Sequence, residues 1–259
     1  MTRRFCLVTG ASAGIGRAFA ELYAARGCDL AITARRGDRL EEVAQDLRSR
    51  FDVEVECIAA DLADPSAPKT IVEALVRPAD ILINNAGYGV RGGFSRPAWE
   101  THTTFLQVMV EAPLALSHLV LPGMTARGYG RIVNVASVAG LIPTTPGQPL
   151  YGAAKAFMIK ASLGVSLEMK GRGVNVTALC PGFTRTEFHD VAGMTEALKS
   201  LPGWIWMTAE DAARCGHDAV EAGRALCVPG LANKALVALA KVIPDRLGLE
   251  LMHQLRKHG

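Results

Sequence analysis

The stretch that most restricts the fold runs from residue 5 to residue 25. A short apolar segment, Phe5 to Thr9, ends in Thr9-Gly-Ala-Ser-Ala-Gly-Ile-Gly16 and passes into helical spacing through Ile15, Ala18, Phe19, Leu22 and Ala25. A strand, a glycine-rich turn and a helix in that order form a compact unit. Gly10, Gly14 and Gly16 let backbone amides approach a pyrophosphate at the helix N-terminus, where the dipole favours anions. A plain tight turn is the alternative. Ser12, Ala13 and Ile15 complete the candidate phosphate turn. Gly27 stops the helix.

The same alternation continues along the chain. Strand-like runs are Asp29–Thr33, Val53–Ile58, Ile81–Asn84, Arg131–Ala136, Val174–Leu179 and Ala225–Val228. Helical spacing covers about 38–50, 65–75, 99–124 and 150–169, the second of these starting after Asp64, a good N-cap residue. Apolar strands alternating with helices predict an α/β fold, a doubly wound parallel sheet with helices on both faces. No linker, repeat or low-complexity segment divides the 259 residues, so one domain is expected.

Half the residues are hydrophobic and few are aromatic, which suits a large aliphatic core. A net charge of +3 with no basic run suggests neither nucleic acid nor an anionic membrane as a partner, and a peripheral membrane enzyme using the Leu231 helix is only a weaker idea. The six cysteines form no C-x-x-C pair, and five fall in or beside apolar runs, which fits a reduced, cytoplasmic protein. The six histidines have no ligand spacing, so no metal site is expected. No signal-peptide core and no run of 18 apolar residues stands out.

In a doubly wound fold the ligand lies at the carboxyl ends of the strands. An acidic residue after the second strand would hold the ribose 2′-hydroxyl of NAD. This chain has Arg35 and Arg36 there, and a guanidinium favours a 2′-phosphate, so NADP(H) is expected over NAD(H). A solvated helix entrance is the alternative. Asp61, followed by Leu62, stands after the third strand, where its carboxylate could accept from the adenine amino group or simply introduce the next helix.

Tyr151 and Lys155 stand one helical turn apart and share a helix face. A phenol titrates near ~10, and lowering it by about 3 units takes about 4 kcal/mol. One ammonium about 4 Å away, at an effective dielectric near 20, supplies about that much. A half-buried Tyr beside a surface Lys is the plainer alternative.

Thr9–Gly16, Asp61, Asn84-Asn85-Ala86-Gly87, Ser137, Tyr151 with Lys155, and Pro181-Gly182 together resemble a short-chain dehydrogenase/reductase of the Rossmann type, over about residues 4–230. The tail is loosely similar to a bacterial subgroup of broad specificity. The resemblance implies that Tyr151 is the general acid, that Lys155 lowers its pKa and holds the nicotinamide ribose, and that Ser137 hydrogen-bonds the substrate oxygen. It implies that Asn84, Asn85, Ala86 and Gly87 support the sheet and pass close to the adenosine ribose. Pro181 and Gly182 would bend the chain beside the nicotinamide, with Thr184 and Thr186 near its carboxamide and the phosphates. The family's habit of pairing through its two long helices implies a homodimer or homotetramer.

Two positions depart from the family pattern. Met109 stands where the family has an Asn that shapes a helix kink and its water relay, although Pro113 can still disturb the helix. A relay through Glu111 is one substitute. The loop between Ser137 and Tyr151 is one residue longer and stiffened by Pro143, Pro146 and Pro149. Residues 184–207 fall where the family carries a substrate lid, and Trp204, Trp206 and the methionines there suggest an apolar substrate; packing on the core or a partner subunit is the alternative. Leu231–Ile243 carries an apolar stripe with Lys234 and Lys241, too short to span a membrane. It can pack on the core or an oligomer, cover the site mouth or anchor at an interface, the first being favoured.

The expectation is therefore an NADP(H)-dependent oxidoreductase for an apolar carbonyl or secondary alcohol. The rival expectation is a low-turnover NADP(H)-binding regulatory protein, motivated by Met109.

Overall fold

Strands β1 (Phe5–Thr9) and β4 (Ile81–Asn84) are buried at every position, because helices cover both faces of the sheet they share. The computed structural model describes residues 3–90, 92–144, 148–186 and 203–257. The remaining strands are β2 (Asp29–Ala34), β3 (Val55–Ala59), β5 (Gly130–Val135), β6 (Val174–Leu179) and β7 (Leu226–Cys227). All seven are parallel, in the order β3-β2-β1-β4-β5-β6-β7. The order reverses between β1 and β4, which opens a crevice at their carboxyl ends.

One face is covered by α1 (Gly14–Ala24), α2 (Gly37–Phe51) and a helix α7 (Ala209–Glu221), with Phe19, Tyr23, Leu40, Leu47 and Val220 in its core. The other carries α3 (Ala67–Ala74), α4 (Trp99–Leu106), α5 (Ala112–Ala126) and α6 (Pro149–Glu168), with Ile71, Leu116, Val120 and Met124 packed on the sheet. After β7 come α8 (Leu231–Val242) and α9 (Asp245–Lys257).

Three features differ from the sequence expectation. Helix α3 starts at Ala67 after Ser66, because the Asp64 carboxylate accepts from the Ser66 amide and hydroxyl, both at 2.8 Å, and so caps the turn ahead of the helix. Helix α7 was not expected, although its signals are local: Thr208 accepts from the Asp211 amide at 3.0 Å, and small residues recur on one face. Those small residues are there because α7 lies close on α1; a Cβ on Gly216 would stand 2.8 Å from the Phe19 ring. The third difference is the helix at 99–126. Glu100 and Glu111 interrupt its apolar run, yet with 28 residues and an 18-residue stretch of mean hydropathy 1.5 it is long and apolar enough to cross a membrane. Its inner face, with Phe105, Val108, Leu116 and Met124, packs into the core.

That helix carries a π-turn at Gln107–Glu111, between α4 and α5. Pro113 has no N–H to give to the carbonyl four residues back, so the ladder shifts and the Ala112 amide bonds the Gln107 carbonyl. The kink thus forms without the family's Asn. Buried Met109 accepts from the Tyr88 amide through its sulfur at 3.4 Å, and Glu111 is exposed.

A buried polar chain ties the kink to the sheet. Asn84 Nδ2 donates to Asn134 Oδ1 at 2.8 Å and stands 3.1 Å from the Pro113 carbonyl and 3.0 Å from Ser117 Oγ. Asn134 Nδ2 donates to Ser162 Oγ at 2.8 Å, and Ser162 donates to the Met158 carbonyl. Four elements (β4, α5, β5 and α6) thereby share one register. Replacing Asn134→Ala removes two buried hydrogen bonds, while Asn84 keeps the Pro113 carbonyl and Ser117 and Ser162 keeps the Met158 carbonyl, and we expect a loss of ~1–3 kcal/mol in urea unfolding.

Candidate active site

The site is assembled where β1, β4, β5 and β6 end. Thr9 closes β1, and its hydroxyl accepts from the amides of Asn85 (2.9 Å) and Ala86 (3.1 Å) while reaching the Ile83 carbonyl at 3.3 Å. Asn85 Nδ2 donates back to the carbonyls of Thr9 (3.0 Å) and Gly10 (3.2 Å). The Asn84-Asn85-Ala86-Gly87 stretch is thus bolted to the glycine-rich turn. Gly16 belongs to this contact, since a Cβ there would stand 2.3 Å from the Gly10 carbonyl and 2.4 Å from Asn85 Nδ2. Gly10 and Gly14 adopt positive φ, +65° and +56°.

The turn Gly10–Ala13 delivers the chain into α1 with Ala13 as N-cap. No side chain caps α1 and its first turn has no acidic residue. The first amides of the helix therefore point at the crevice with the positive end of the dipole behind them. Thr186 lies over this turn, its Cγ2 3.0 Å from where a Gly14 Cβ would be. Thr184, buried, donates to the Gly182 carbonyl at 3.1 Å. The backbone of 183–185 pairs with Met207, closing the base of the loop. Phe188, Met194 and most of the expected lid lie outside the described residues. Trp206 contacts Phe183, with ring centroids 5.7 Å apart.

Arg35 and Arg36 are exposed at the end of β2. Burial raises the Tyr88 phenol, with the Arg35 charge acting against it and the Asp61 charge with it. The Asp61 carboxylate also accepts from the Ala63 amide at 3.0 Å, and Leu62 is buried behind it. Tyr88 was not singled out from the sequence; its signal was its place directly after Gly87.

Ser137, Tyr151 and Lys155 converge. Ser137 follows β5 and caps a single 3₁₀ turn, Val138–Gly140, its Oγ accepting from the Ala139 amide at 3.1 Å. This turn lies directly on α6: a Cβ on Gly140 would stand 2.7 Å from the Lys155 carbonyl carbon. Pro149 occupies the first turn of α6, where its missing N–H costs nothing. Tyr151 then meets the Ser137 hydroxyl in a hydrogen bond.

The electrostatics correct the sequence argument for the Tyr–Lys pair. Lys155 is only 6% exposed, and its Nζ donates to the Val135 carbonyl at 2.7 Å while standing 5.8 Å from the centre of the Tyr151 ring. Burial pushes the Tyr151 phenol up to about 12, with the Ser137 hydrogen bond pulling the other way. Burial pushes Lys155 down to about 8, opposed by the Cys180 thiol. In the protein alone, desolvation outweighs the attraction that the helical spacing suggested, because the lysine turns to the strand.

One crevice therefore has an uncapped helix end at one side and the Ser137–Tyr151–Lys155 cluster at the other. The chain matches the short chain dehydrogenase family over residues 4–196. It belongs to that family. Sulfoacetaldehyde reductase from Chromohalobacter salexigens is 37% identical over 219 residues, covering 80% of this chain and 83% of that protein. A short-chain dehydrogenase from Sphingobium yanoikuyae solved with NADPH superimposes with a TM-score of 0.81 at 33% identity, covering 93% of this chain and 96% of the other. A family member from Burkholderia phymatum solved with NAD gives 0.79 at 26% identity, with 92% of each chain covered. This short-chain dehydrogenase is thus an oxidoreductase that binds a nicotinamide cofactor. Among its described residues no three His, Cys, Asp or Glu group into a metal site.

Two positioning residues escaped sequence reading. Asn233 of α8 donates to the Pro229 carbonyl at 2.8 Å and lies against Gly182, where a Cβ would stand 2.2 Å from its Oδ1. Buried Cys180 raises the proton affinity of Lys155 against the effect of burial. Both effects join segments far apart in the chain.

Lys155 yields a stability prediction. Its folded pKa lies below the unfolded value of 10.5, so the unfolded chain binds more protons between about 8 and 10.5. Stability is then lowest below about pH 8 and rises with pH through that window. The shift amounts to about 3 kcal/mol, less ~1 kcal/mol for the Val135 hydrogen bond. We expect Lys155→Met to raise stability by ~1–2 kcal/mol at neutral pH in urea titrations, with the gain shrinking as pH rises towards 10.

Proposed function

We propose that this short-chain dehydrogenase is an NADP(H)-dependent carbonyl reductase, or alcohol dehydrogenase in reverse, acting on an apolar ketone, aldehyde or 3-oxoacyl-type substrate. The observation that carries the reading is the convergence of Ser137, Tyr151 and Lys155 on a crevice whose other end is the uncapped α1 and the exposed Arg35. When bound, the nicotinamide exchanges a hydride with the substrate carbon. The chain's own residues do the rest.

Ser137 and Tyr151 hydrogen-bond the substrate oxygen, and the phenol delivers or removes the proton at that oxygen. A phenol near 12 is protonated at neutral pH, which suits an acid poised for reduction. Lys155 is held by the Val135 carbonyl and has two further N–H donors for the ribose and for a proton path. The π-turn at Gln107–Glu111 supplies the helix kink that the family shapes with an Asn at position 109. The amides of Ser12–Gly16 and the Thr184 and Thr186 hydroxyls hold the phosphates. Pro181-Gly182 shapes the nicotinamide face. Ala86 and Gly87 border the adenosine, with Asp61 at the adenine. Arg35, and Arg36 at the start of α2, favour a 2′-phosphate. The NADPH complex of the Sphingobium relative supports this preference, while the NAD complex of the Burkholderia relative makes it a matter for measurement. Nothing in the comparisons favours the regulatory reading.

Tyr151 packs, with Val90 and Leu150, against an apolar cluster of Phe105, Met109 and Ala154, which supports an apolar substrate. The exposed Leu119, Phe157 and Leu167 on the two long helices suit pairing into a homodimer or homotetramer.

Fluorescence titration is expected to show NADPH binding more tightly than NADH, and Arg35→Ala to erase ~10- to 100-fold of that margin. Equal affinity of the wild type for both would overturn the 2′-phosphate reading. Tyr151→Phe is expected to lower NADPH-linked ketone reduction by ~10²–10⁴-fold while NADPH affinity is kept. An unchanged rate would remove Tyr151 from the proton step.

A further inference from the structure

We infer that the outward face of α8 docks on the surface of an anionic lipid bilayer. Asn233 and Val237 are the buried positions of α8 and set its inner face. By helical spacing the opposite face carries Leu231, Ala235, Ala238, Leu239 and Val242, all exposed, and no polar residue. Leu231 is 83%, Val242 76% and Leu239 57% exposed. A helix apolar on its inner and outer faces alike wants a second apolar phase against its outer side. At 12 residues, about 18 Å, α8 lies in an interface and does not span one.

Charge selects the occupant. Residues 231–259 hold five Lys and Arg against Asp245 and Glu250, a net +3 that equals the net charge of the whole chain. Residues 1–230 are therefore balanced. Lys234 and Lys241 are exposed and share one flank of the apolar face, seven residues apart. Their stems can lie along the apolar surface with the ammonium groups at headgroup level. Helix α8 has no acidic residue, so pairing this face with a second copy gathers four lysines around the seam with no counter-charge from the helix. Lipid phosphates supply that counter-charge.

The placement has a consequence that rests on the proposed function. The inner face of α8 touches Gly182 through Asn233, so the Pro181–Gly182 bend lies one helix thickness, ~10 Å, behind the docking face. An apolar carbonyl substrate partitioned into the bilayer is then close to the site.

The test is co-sedimentation of the full chain with vesicles of phosphatidylcholine alone or mixed with phosphatidylglycerol. The wild type is expected to pellet with the mixed vesicles at least ~10-fold more than with the neutral ones, and to be released by high salt. Leu231→Ser with Leu239→Ser and Val242→Ser, and separately Lys234→Glu with Lys241→Glu, are each expected to reduce pelleting by ~10-fold or more. These positions are exposed, and circular dichroism with NADPH titration checks that both variants stay folded. Wild-type protein remaining in the supernatant with mixed vesicles overturns the inference. So does equal pelleting of wild type and both variants, which puts binding on another surface. A serine variant that instead shifts the molar mass in sedimentation velocity, with no vesicle binding by the wild type, assigns the face to a second copy. None of these outcomes depends on turnover, so they separate from a failure of the oxidoreductase reading.

Discussion

The site rests on a close approach of two backbones at the carboxyl end of the sheet. The Gly10 carbonyl and the Asn85 amide occupy the space where any side chain at position 16 would be. The contact holds because the Thr9 hydroxyl takes the amides that leave β4 and Asn85 answers by donating to the turn. Two strands adjacent in the sheet but more than 70 residues apart in sequence are thereby locked at their ends. The free amides of α1 face the crevice because this lock fixes where the helix begins.

The Ser137 end of the crevice is held by a different device. Here a buried polar chain, Asn84 to Asn134 to Ser162, fastens α6 to β5 and to the kinked helix. Gly140 then lets the 3₁₀ turn after Ser137 lie on the backbone of α6 itself. Ser137, Tyr151 and Lys155 inherit their separation from these contacts. The kink opposite shows how one backbone geometry survives a change of side chain. A proline at 113 deletes the amide that would close the ladder, so the π-turn persists with a thioether at 109.

Burial at this end sets the proton affinities. Both partners of the Tyr–Lys pair lose hydration, and each is driven towards its neutral form. The resting cluster is therefore an acid and a weakened base, and charges brought into the crevice have large leverage there because the surroundings screen them little.

Much of the fold was legible because its signals are local. Apolar runs of strand length, separated by helical spacing and stopped by glycine, dictate a covered parallel sheet, since nothing else buries such strands on both faces. The glycine turn and the Tyr151–Lys155 spacing were readable for the same reason, since spacing along the chain fixes which backbone unit carries them, whereas Ser137 was singled out only through the family resemblance. Helix α7 was passed over although Thr208 and its alanine face are local too, because small residues carry little apolar weight in a periodicity count. Tertiary structure alone decided that Lys155 turns to the Val135 carbonyl, that Asn233 props Gly182, that the Tyr88 amide donates to the Met109 sulfur, and that the outer side of α8 is left apolar and uncovered. Each of those depends on which distant segments share a surface, and a sequence records distances along the chain while energies depend on distances in space.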